Sequence, residues 1–346
     1  MNHQTELVQS RDKSQPGLSI VMPTYNRANI LMRSLEFHLP LLQEYNIKLY
    51  VFDNASTDNS GEIVKQYQQY YPLLEYHCND NNIGPDNNFE RALTYPDSKY
   101  IWLLGDTYEI PEDGIVYILD LINRDKGYPI IVFNLHNMIR LDAANTLEYF
   151  DYNALLSDLG GLMTCLSCLV YERNFIKQTN FNRYKNTNFL QTGIIFEGLP
   201  INSGTVSWVQ NISIKGIESV EIDKVKWRNT PDALEIGCKQ WVNFVFSLPA
   251  AYRLESKLKC LLDFGIISGI FSFRSIVNMR RLNIINSHSY IKYKTYFPLV
   301  VGFPRIIILI LCFIPRAILK IFICFAILGF EKDKYNKLKR ILWNKI

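Results

Sequence analysis

The sequence predicts an open α/β fold built around a mostly parallel sheet. Short apolar runs rich in β-branched and aromatic residues alternate with longer segments whose apolar residues recur at helical spacing. A second observation is that acidic and amide residues follow directly after several of these runs. In open α/β sheets, ligands bind outside the carboxyl ends of the strands, so this pattern predicts a binding site at that edge.

The first part of the chain predicts a repeated strand–helix pattern. Residues 18–22 and 49–52 are short apolar runs, which are typical of buried parallel strands. Residues 29–45 and 60–71 follow them and carry apolar residues at helical spacing, which predicts two helices. Pro40 is expected to kink or end the first helix, because proline removes one backbone hydrogen bond.

The same alternation continues along the chain. Further strands are predicted at residues 75–77, 100–104, 130–133 and 162–170, and further helices at residues 87–94, 114–124 and across most of 241–285. We therefore expect one α/β domain over residues 18–240 and a helical region over residues 241–296.

Composition and charge narrow the class of protein. The chain has 346 residues, of which 48% are hydrophobic, so it can bury a sizeable core. Its net charge of +4 is too small to predict a nucleic-acid partner. The seven cysteines are scattered, and residues 1–17 form a polar tail without the apolar segment of a secretory signal. These features predict a protein of the cytoplasm.

Polar turns follow the first two predicted strands and are candidates for binding a nucleotide. The first turn comprises Pro23, Thr24, Tyr25, Asn26 and Arg27. The second begins at Asp53 and includes Asn54 and Ser56. A carboxylate such as Asp53 can accept a hydrogen bond from the imide N–H of a pyrimidine base, and the ring of Tyr25 offers a face for stacking. Either turn alone is also ordinary helix-capping chemistry, so the ordered pair is the more specific signal.

Two further polar blocks follow the next two predicted strands. Asn82, Gly84 and Asn88 form the first, in which glycine permits close approach of the backbone and the amides can bond sugar hydroxyls. Asp106 opens the second, and Thr107 and Tyr108 follow it. Both blocks are expected at the edge of the sheet that carries the first two turns.

The four blocks, in this order, resemble the glycosyltransferases of family 2, and in pattern most closely the abequosyltransferase-like dideoxysugar transferases. In that family the first strand ends in P-x-Y-N and the second in D-N-x-S-x-D, as residues 23–26 and 53–58 do here. An N-x-G-x-x-x-N element follows, as at residues 82–88. The resemblance implies a GT-A fold, with helices on both faces of the sheet, and a nucleoside diphosphate-sugar donor bound by these blocks.

The fourth block departs from the family's usual W-L-L-G-D-D-D. The resemblance implies that these aspartates hold Mg²⁺ or Mn²⁺ on the donor diphosphate, whereas this chain keeps only Asp106, before Thr107 and Tyr108. We predict a weakened metal site at Asp106. The alternatives are that Glu109 reaches in, or that a basic residue or Tyr108 stabilises the diphosphate without a metal.

The general base is also not where the family places it. Many family 2 enzymes carry an E-D pair whose aspartate deprotonates the acceptor hydroxyl, but Gln191 and Thr192 occupy that neighbourhood here. An inverting transfer needs a base. The predicted catalytic residues are therefore Asp158 and Glu197 in addition to Asp106. His136 is an alternative to both.

The C-terminal residues 297–346 are predicted to associate with a membrane. Residues 297–330 are almost entirely apolar apart from Arg305, Arg316 and Lys320. Each apolar run between these charges is shorter than the roughly 20 residues of a spanning helix. We expect helices that lie in the membrane interface, followed by a basic tail suited to anionic lipids; a buried hairpin or an oligomer interface is the alternative.

These expectations describe a glycosyltransferase at the cytoplasmic face of the inner membrane, peripheral or monotopic. Residues 18–121 would bind the donor, and residues 122–240 would receive a hydroxyl of a lipid-linked glycan in bacterial surface polysaccharide synthesis. The departures at Thr107, Tyr108 and Gln191 leave a second class open, a catalytically degenerate sugar-nucleotide-binding or assembly protein. A nicotinamide oxidoreductase is disfavoured, because no G-x-G-x-x-G follows the first strand.

Overall fold

The structure is a computed structural model that describes residues 17–319, apart from residues 125, 140, 142–145, 203 and 219–228. The predicted polar N-terminal tail, Lys320 and the basic C-terminal tail therefore lie outside the described residues, except for Gly17. The described chain divides into two compact units. One comprises the described residues up to 218 together with 243–260, and the other comprises residues 229–242 and 261–319.

Nine strands of the described chain form one mixed sheet. They are β1 (Leu18–Thr24), β2 (Lys48–Asp53), β3 (Leu74–Cys78), β4 (Tyr100–Leu103), β5 (Tyr108–Glu109), β6 (Ile130–Leu135), β7 (Thr146–Tyr149), β8 (Leu169–Glu172) and β9 (Val206–Gly216). Their order along the sheet is β3-β2-β1-β4-β8-β6-β9-β5, and β7 pairs with β9. The first four strands pair in parallel, whereas β8 runs antiparallel to β4 and β6.

The strand order creates a topological switch point at β1. The chain passes from β1 to β2 and β3 on one side of β1 and then crosses to β4 on the other side. Such a reversal of the strand order defines a switch point. The carboxyl ends of these three parallel strands open on one edge of the sheet, here named the carboxyl edge. Thr24, Asp53 and Leu103 end the strands there and lead into the polar turns. The predicted α/β sheet is confirmed.

The helices alternate with the strands in the first part of the chain and dominate its end. They are α1 (Ala28–Glu44), α2 (Ser60–Gln68), α3 (Pro85–Thr94), α4 (Glu112–Asn123), α5 (Tyr152–Leu159), α6 (Arg173–Lys177), α7 (Leu190–Asn202), α8 (Asp232–Leu234), α9 (Trp241–Ser247), α10 (Leu254–Ile267), α11 (Phe273–Arg281), α12 (Ser287–Tyr293), α13 (Phe297–Val300) and α14 (Arg305–Phe313). A π-helical turn, Glu235–Gln240, joins α8 to α9.

The strand predicted at residues 162–170 is wrong over most of its length. The chain instead makes two 3₁₀ turns, Leu162–Thr164 and Leu166–Cys168, and β8 begins only at Leu169. A short apolar run with no polar face has no period that separates a strand from buried turns. The backbone resolves the ambiguity, because Cys165 N donates to Leu162 O at 3.0 Å and closes the first turn.

Pro40 was expected to kink or end α1; it does not end the helix, which continues to Glu44, and the kink stays a prediction. Pro40 lies on the exposed side of α1, as does Glu36, whose carbonyl loses its partner in the helix. Water can replace the missing bond there, so the helix tolerates the proline.

Helix α7 has no counterpart among the predicted elements. All residues from 190 to 196 are buried, so the segment lacks the polar face that gives an amphipathic helix its period. Aromatic rings pack directly against its glycines: a Cβ at Gly193 would lie 2.3 Å from the Tyr184 ring, and one at Gly198 would lie 2.5 Å from Phe175.

The described residues of the second unit form helices and turns. In it α14 packs against α11 and α12. Arg280 is buried in α11 and ends α14, because its Nε donates to Leu311 O and its Nη2 to Ile314 O, each at 2.9 Å. Within the described residues, no helix combines the length and the apolarity needed to cross a bilayer.

Candidate nucleotide-sugar site

The turns after β1 and β2 are bonded to each other. Asn54 N donates to Thr24 O at 3.0 Å, and on the other side Asn26 N donates to Ser56 Oγ at 2.8 Å. Each turn holds a non-glycine residue in the left-handed region, with φ of 51° at Asn26 and 63° at Ala55. Such conformations cost energy and persist where surrounding contacts fix them, so the bonds between the turns hold a defined surface at the carboxyl edge.

Tyr25 is presented on this surface. Pro23 is half-buried at the end of β1, whereas Tyr25 is 42% exposed. The second turn also starts the helix that follows the first, because Asp58 Oδ2 accepts from Ala28 N at 2.9 Å. The exposed ring of Tyr25 therefore stands on a rigid turn, which suits the stacking role predicted for it.

Asp53 is built into the second turn. It is 1% exposed; Oδ1 accepts from Ser56 N at 2.8 Å, and Oδ2 accepts from the Tyr76 hydroxyl at 2.6 Å. Burial and the hydrogen bond to Asp53 raise the pKa of the Tyr76 phenol, which therefore remains a donor. Tyr76 belongs to β3 and to none of the predicted blocks. The direct bond from Asp53 to a base stays a prediction.

An amide network joins the second turn to the loop after β3. Asn79 Nδ2 donates to Asn54 Oδ1 at 2.9 Å and to Asn88 Oδ1 at 3.1 Å. Asn54 Nδ2 donates to Asn82 Oδ1 at 2.9 Å, and Asn88 Nδ2 donates to Phe52 O at 3.0 Å. The predicted amides thus hold the loop in place, with Asn79 as an unpredicted centre. Their bonds to a donor stay predictions.

Gly84 is required by the backbone conformation of this loop. Its φ of 82° with ψ of 160° is accessible almost only to glycine, and it directly precedes α3. A Cβ at this position would meet no atom within 4 Å. The space beside Gly84 is therefore open, and the glycine is not there to relieve crowding within the chain.

Asp106 connects the fourth block to the first. It is 4% exposed, and Arg27 Nη1 donates to its Oδ1 at 2.8 Å. The Thr24 hydroxyl lies 3.5 Å from Oδ2. The Arg27 side chain itself is 48% exposed. The three blocks at the carboxyl ends of β1, β2 and β4 thus form one cluster that presents the Arg27 guanidinium to solvent.

Ser167, which belongs to none of the predicted blocks, fixes the residues around Asp106 through two hydrogen bonds. Ser167 Oγ accepts from Gly105 N at 3.0 Å, and Ser167 O accepts from the Trp102 indole at 2.8 Å. Thr107 is buried, and Tyr108 begins β5. No motif in the sequence identifies Ser167, because its partners lie more than sixty residues away.

The acidic side chains near Asp106 bear on whether this block could hold a metal ion. Within the described residues, no group of three or more His, Cys, Asp or Glu side chains is placed to hold a metal ion. Glu109 lies in β5, where its backbone pairs with Lys215 in β9. Asp106 is paired with Arg27. Asp106 could therefore contribute one carboxylate to a divalent cation, and the remaining ligands would have to come from outside this block.

The two predicted carboxylate bases lie in other clusters. Asp158 in α5 accepts from the Tyr149 hydroxyl at 3.1 Å and lies 3.3 Å from Lys259 Nζ. Glu197 in α7 accepts from the Tyr184 hydroxyl at 2.6 Å. We name the turns after β1 and β2 the donor-side turns, after the donor predicted to bind there. In the part of the chain that the structure describes, hydrogen bonds do not link either carboxylate to these turns.

His136 lies beside Tyr108 of the Asp106 block. It follows β6, is exposed, and its ring centroid is 6.4 Å from that of Tyr108. Its backbone is left-handed, with φ of 48°, and His136 N donates to Ile214 O at 2.9 Å. Gln191, in the neighbourhood where the resemblance implies a base, is buried, and its Nε2 donates to Thr164 O at 3.1 Å.

The sheet order, with donor-side turns at its switch point, defines the GT-A class of nucleotide-diphospho-sugar transferase folds. The solved mannosyltransferase PcManGT of Pyrobaculum calidifontis, in complex with GDP-Man and Mn²⁺, aligns at a TM-score of 0.50 over 85% of each chain, at 11% identity. The glycosyl transferase family 2 model matches residues 19–209, and the chain belongs to that family. The predicted family and fold are confirmed.

Two named relatives extend the comparison. Abequosyltransferase RfbV of Salmonella typhimurium is 26% identical over 179 residues, which are 45% of this chain and 53% of that protein. The GalNAc(5)-diNAcBac-PP-undecaprenol beta-1,3-glucosyltransferase of Campylobacter jejuni is 23% identical over 120 residues, 34% of this chain and 38% of that protein. The matched region thus spans no more than 53% of these relatives' length.

Proposed function

We propose that the protein transfers a sugar from a nucleoside diphosphate donor to a hydroxyl of a lipid-linked glycan in bacterial surface polysaccharide synthesis. The observation that carries this proposal is the cluster of Thr24, Arg27, Asp53 and Asp106 at the switch point of the sheet. The relatives named for abequosyl transfer and for an undecaprenol-linked acceptor support it. We place the reaction at the cytoplasmic face of the inner membrane, where such acceptors are assembled.

The donor would bind across the joined turns. Tyr25 stacks on the base, and the turn at Asp53 recognises its polar edge. The open space beside Gly84 admits the ribose or the sugar. Asn82 and Asn88 hold this loop through their amides, so a binding surface exists before the donor arrives.

The leaving diphosphate would be stabilised at Arg27 and Asp106. Asp106 would hold a divalent cation, Mg²⁺ or Mn²⁺, which would supply positive charge against the leaving group. The half-exposed Arg27 guanidinium offers a second source of positive charge. This ion pair favours a contribution from the protein that does not depend on the metal.

In the transfer step the acceptor oxygen attacks the anomeric carbon, the bond from that carbon to the diphosphate breaks, and the nucleoside diphosphate leaves. The hydroxyl proton passes to a base on the acceptor side. His136 is the best placed of the three candidates, because Asp158 and Glu197 are engaged by Lys259 and Tyr184. Attack opposite the leaving group inverts the anomeric configuration.

The second unit would bind the membrane surface. Ile306, Ile310 and Phe313 lie on one face of α14 and are 52%, 55% and 73% exposed. Arg305 and Arg316 flank this face, so apolar burial and attraction to anionic headgroups act together. We name these three apolar residues the α14 face.

Donor turnover by purified protein tests the proposal. Transfer or hydrolysis is measured against a panel of nucleotide sugars, with Mg²⁺, Mn²⁺ or EDTA and membrane extract as acceptor. We expect turnover that falls roughly a hundredfold in Asp106→Asn, because a preorganised group at the leaving diphosphate is lost. Asp120→Asn, in an exposed pair with Arg124 on α4, is the matched control and keeps wild-type turnover.

Metal dependence separates the two roles at this site. EDTA-sensitive turnover assigns the leaving group to a cation at Asp106, whereas EDTA-resistant turnover that is lost in Arg27→Ala assigns it to the guanidinium. Donor binding without turnover for every sugar tested would contradict the proposal and favour a degenerate binding or assembly protein, which Thr107 and Tyr108 make a genuine second candidate.

A further inference from the structure

Asp86 is a buried carboxylate in the first turn of α3, directly after the loop at Asn82 and Gly84. It is 2% exposed, and its Oδ2 accepts from Asn188 N at 3.0 Å. Burial raises its pKa, and the backbone N–H groups around it oppose that rise. Those groups belong to Asn188, Thr187, Leu190 and Asn186. Asp86, 102 residues away in sequence, thus forms a direct hydrogen bond with the segment that leads into α7.

The segment that Asp86 holds is conformationally costly. Asn186 and Asn188 both adopt left-handed backbone conformations, with φ of 64° each. A second contact from α3 reaches the same segment, because Lys185 Nζ lies 2.8 Å from Glu90 Oε2. Contacts from α3 therefore add to the local bonds of the segment, in which Thr187 Oγ1 donates to Tyr184 O and accepts from Phe189 N.

The start of α7 also connects to the Asp106 block. Gln191 Nε2 donates to Thr164 O, and Thr192 Oγ1 donates to Met163 O at 2.9 Å. The chain then passes through the second 3₁₀ turn, where Ser167 Oγ accepts from Gly105 N. We name the loop at Asn82 and Gly84 the donor loop. Because α3 begins at the carboxyl edge of the sheet, the first turn of α7 is held at that edge between the donor loop and Asp106.

We infer that Asp86 is a positioning residue for the transfer reaction: it fixes segment 186–189 and the first turn of α7, on the acceptor side, relative to the donor loop. The inference rests on the proposed function. Asp86 is too buried to touch either substrate, so it acts through the backbone that it holds. Misplacement of an acceptor by about 1 Å is enough to slow a transfer roughly a hundredfold.

The test compares wild type with Asp86→Asn, which keeps the size of the side chain and removes its charge. We expect kcat to fall roughly ten- to hundredfold and the acceptor KM to rise, with the donor KM within about twofold of wild type. Loss of folded protein alone would lower kcat and leave both KM values unchanged. Asp120→Asn is the matched control, because it is the same substitution at an exposed position on α4.

Amide hydrogen exchange gives a readout that does not require turnover. Residues 186–190 are expected to exchange faster in Asp86→Asn, while the strands keep wild-type protection. If Asp86→Asn fails to fold, Lys185→Ala weakens the same segment from its exposed side and is expected to shift kcat in the same direction. Wild-type turnover with an unchanged acceptor KM, or unchanged exchange at 186–190, overturns the inference. Absence of wild-type turnover instead overturns the proposed function.

Discussion

At the scale of single residues, the hydroxyl of Tyr76 decides how the Asp53 carboxylate is presented. This carboxylate has its two oxygens shared between Ser56 N and the Tyr76 hydroxyl, which lies on the neighbouring strand β3. A hydrogen bond to an ionised group contributes about 1.5–3 kcal/mol, so the phenol helps to fix the orientation of Asp53.

Tyr76→Phe is therefore expected to weaken binding of the donor nucleotide. Removing the hydroxyl leaves Asp53 Oδ2 without this bond, so the carboxylate is held less firmly although Oδ1 still accepts from Ser56 N. About 1.4 kcal/mol corresponds to a tenfold rise in Kd. Titration calorimetry with a nucleoside diphosphate measures the Kd of wild type and variant. Tyr70→Phe, whose ring is 71% exposed on the turn after α2, is the control and keeps the wild-type Kd. Equal affinity for Tyr76→Phe would show that Asp53 does not need this bond.

The proximity of the polar turns was predictable from short motifs in the sequence, whereas the roles of their residues in binding stay predictions. The turns at Tyr25 and Asp53 follow strands, and strand ends in a parallel sheet must meet. Tyr76 and Ser167 were not predictable in this way. Their bonds to Asp53 and to Gly105 join segments that only the folded chain brings together.

At the scale of whole elements, the buried histidine His38 joins α1 to the strand region after Asp106. His38 Nδ1 donates to Ser34 O at 2.7 Å, and Nε2 accepts from Ile110 N at 3.2 Å. The ring must be neutral to accept at Nε2. Burial lowers the pKa of His38 from 6.5 to about 4, although the bond to Ser34 opposes this shift.

Stability is therefore expected to fall as the pH is lowered. The unfolded chain binds a proton at His38 below about pH 6.5 while the folded chain resists it, so the contribution is complete above that pH and is lost between pH 6.5 and 4. The loss approaches about 1.4 kcal/mol per pH unit. Urea unfolding at a series of pH values measures the free energy of unfolding of wild type and His38→Gln. Identical pH slopes for the two proteins would contradict this account.

Helix α1 was predictable because a polar face gives its apolar residues a period, and β1 and β2 were predictable because short apolar runs followed by polar turns are typical of buried parallel strands. Helix α1 and strands β1 and β2 fall within a few residues of their predicted bounds. Helix α7 was not predictable, because its first turns are buried on every side and carry no such signal.

At the scale of the whole molecule, the chain interleaves its two units. Residues 243–260 belong with the strands of the first unit, although helices of the second unit precede and follow them in sequence. Local patterns show where helices begin and end but not which core each helix joins. The boundary predicted at residue 240 therefore stays a prediction about domain organisation.

Each unit carries a separate part of the proposed function. The first holds the donor-side turns, and the second holds the α14 face of Ile306, Ile310 and Phe313. The opposite side of α14 is buried against α11 and α12, so the α14 face is not needed for the packing of its own unit. An apolar face of this kind beside Arg305 suits an anionic lipid surface.

The protein is therefore expected to sediment with vesicles of phosphatidylglycerol and phosphatidylcholine, and less so at high salt, because salt screens its cations. The double variant Ile310→Ser and Phe313→Ser removes two side chains from the α14 face. Each side chain contributes up to about 1.5–3 kcal/mol when buried, so the partition coefficient is expected to fall at least tenfold. Phe150→Ser, 77% exposed in the first unit, is the control and keeps wild-type binding. Undiminished sedimentation of the double variant would place the membrane contact elsewhere on the chain.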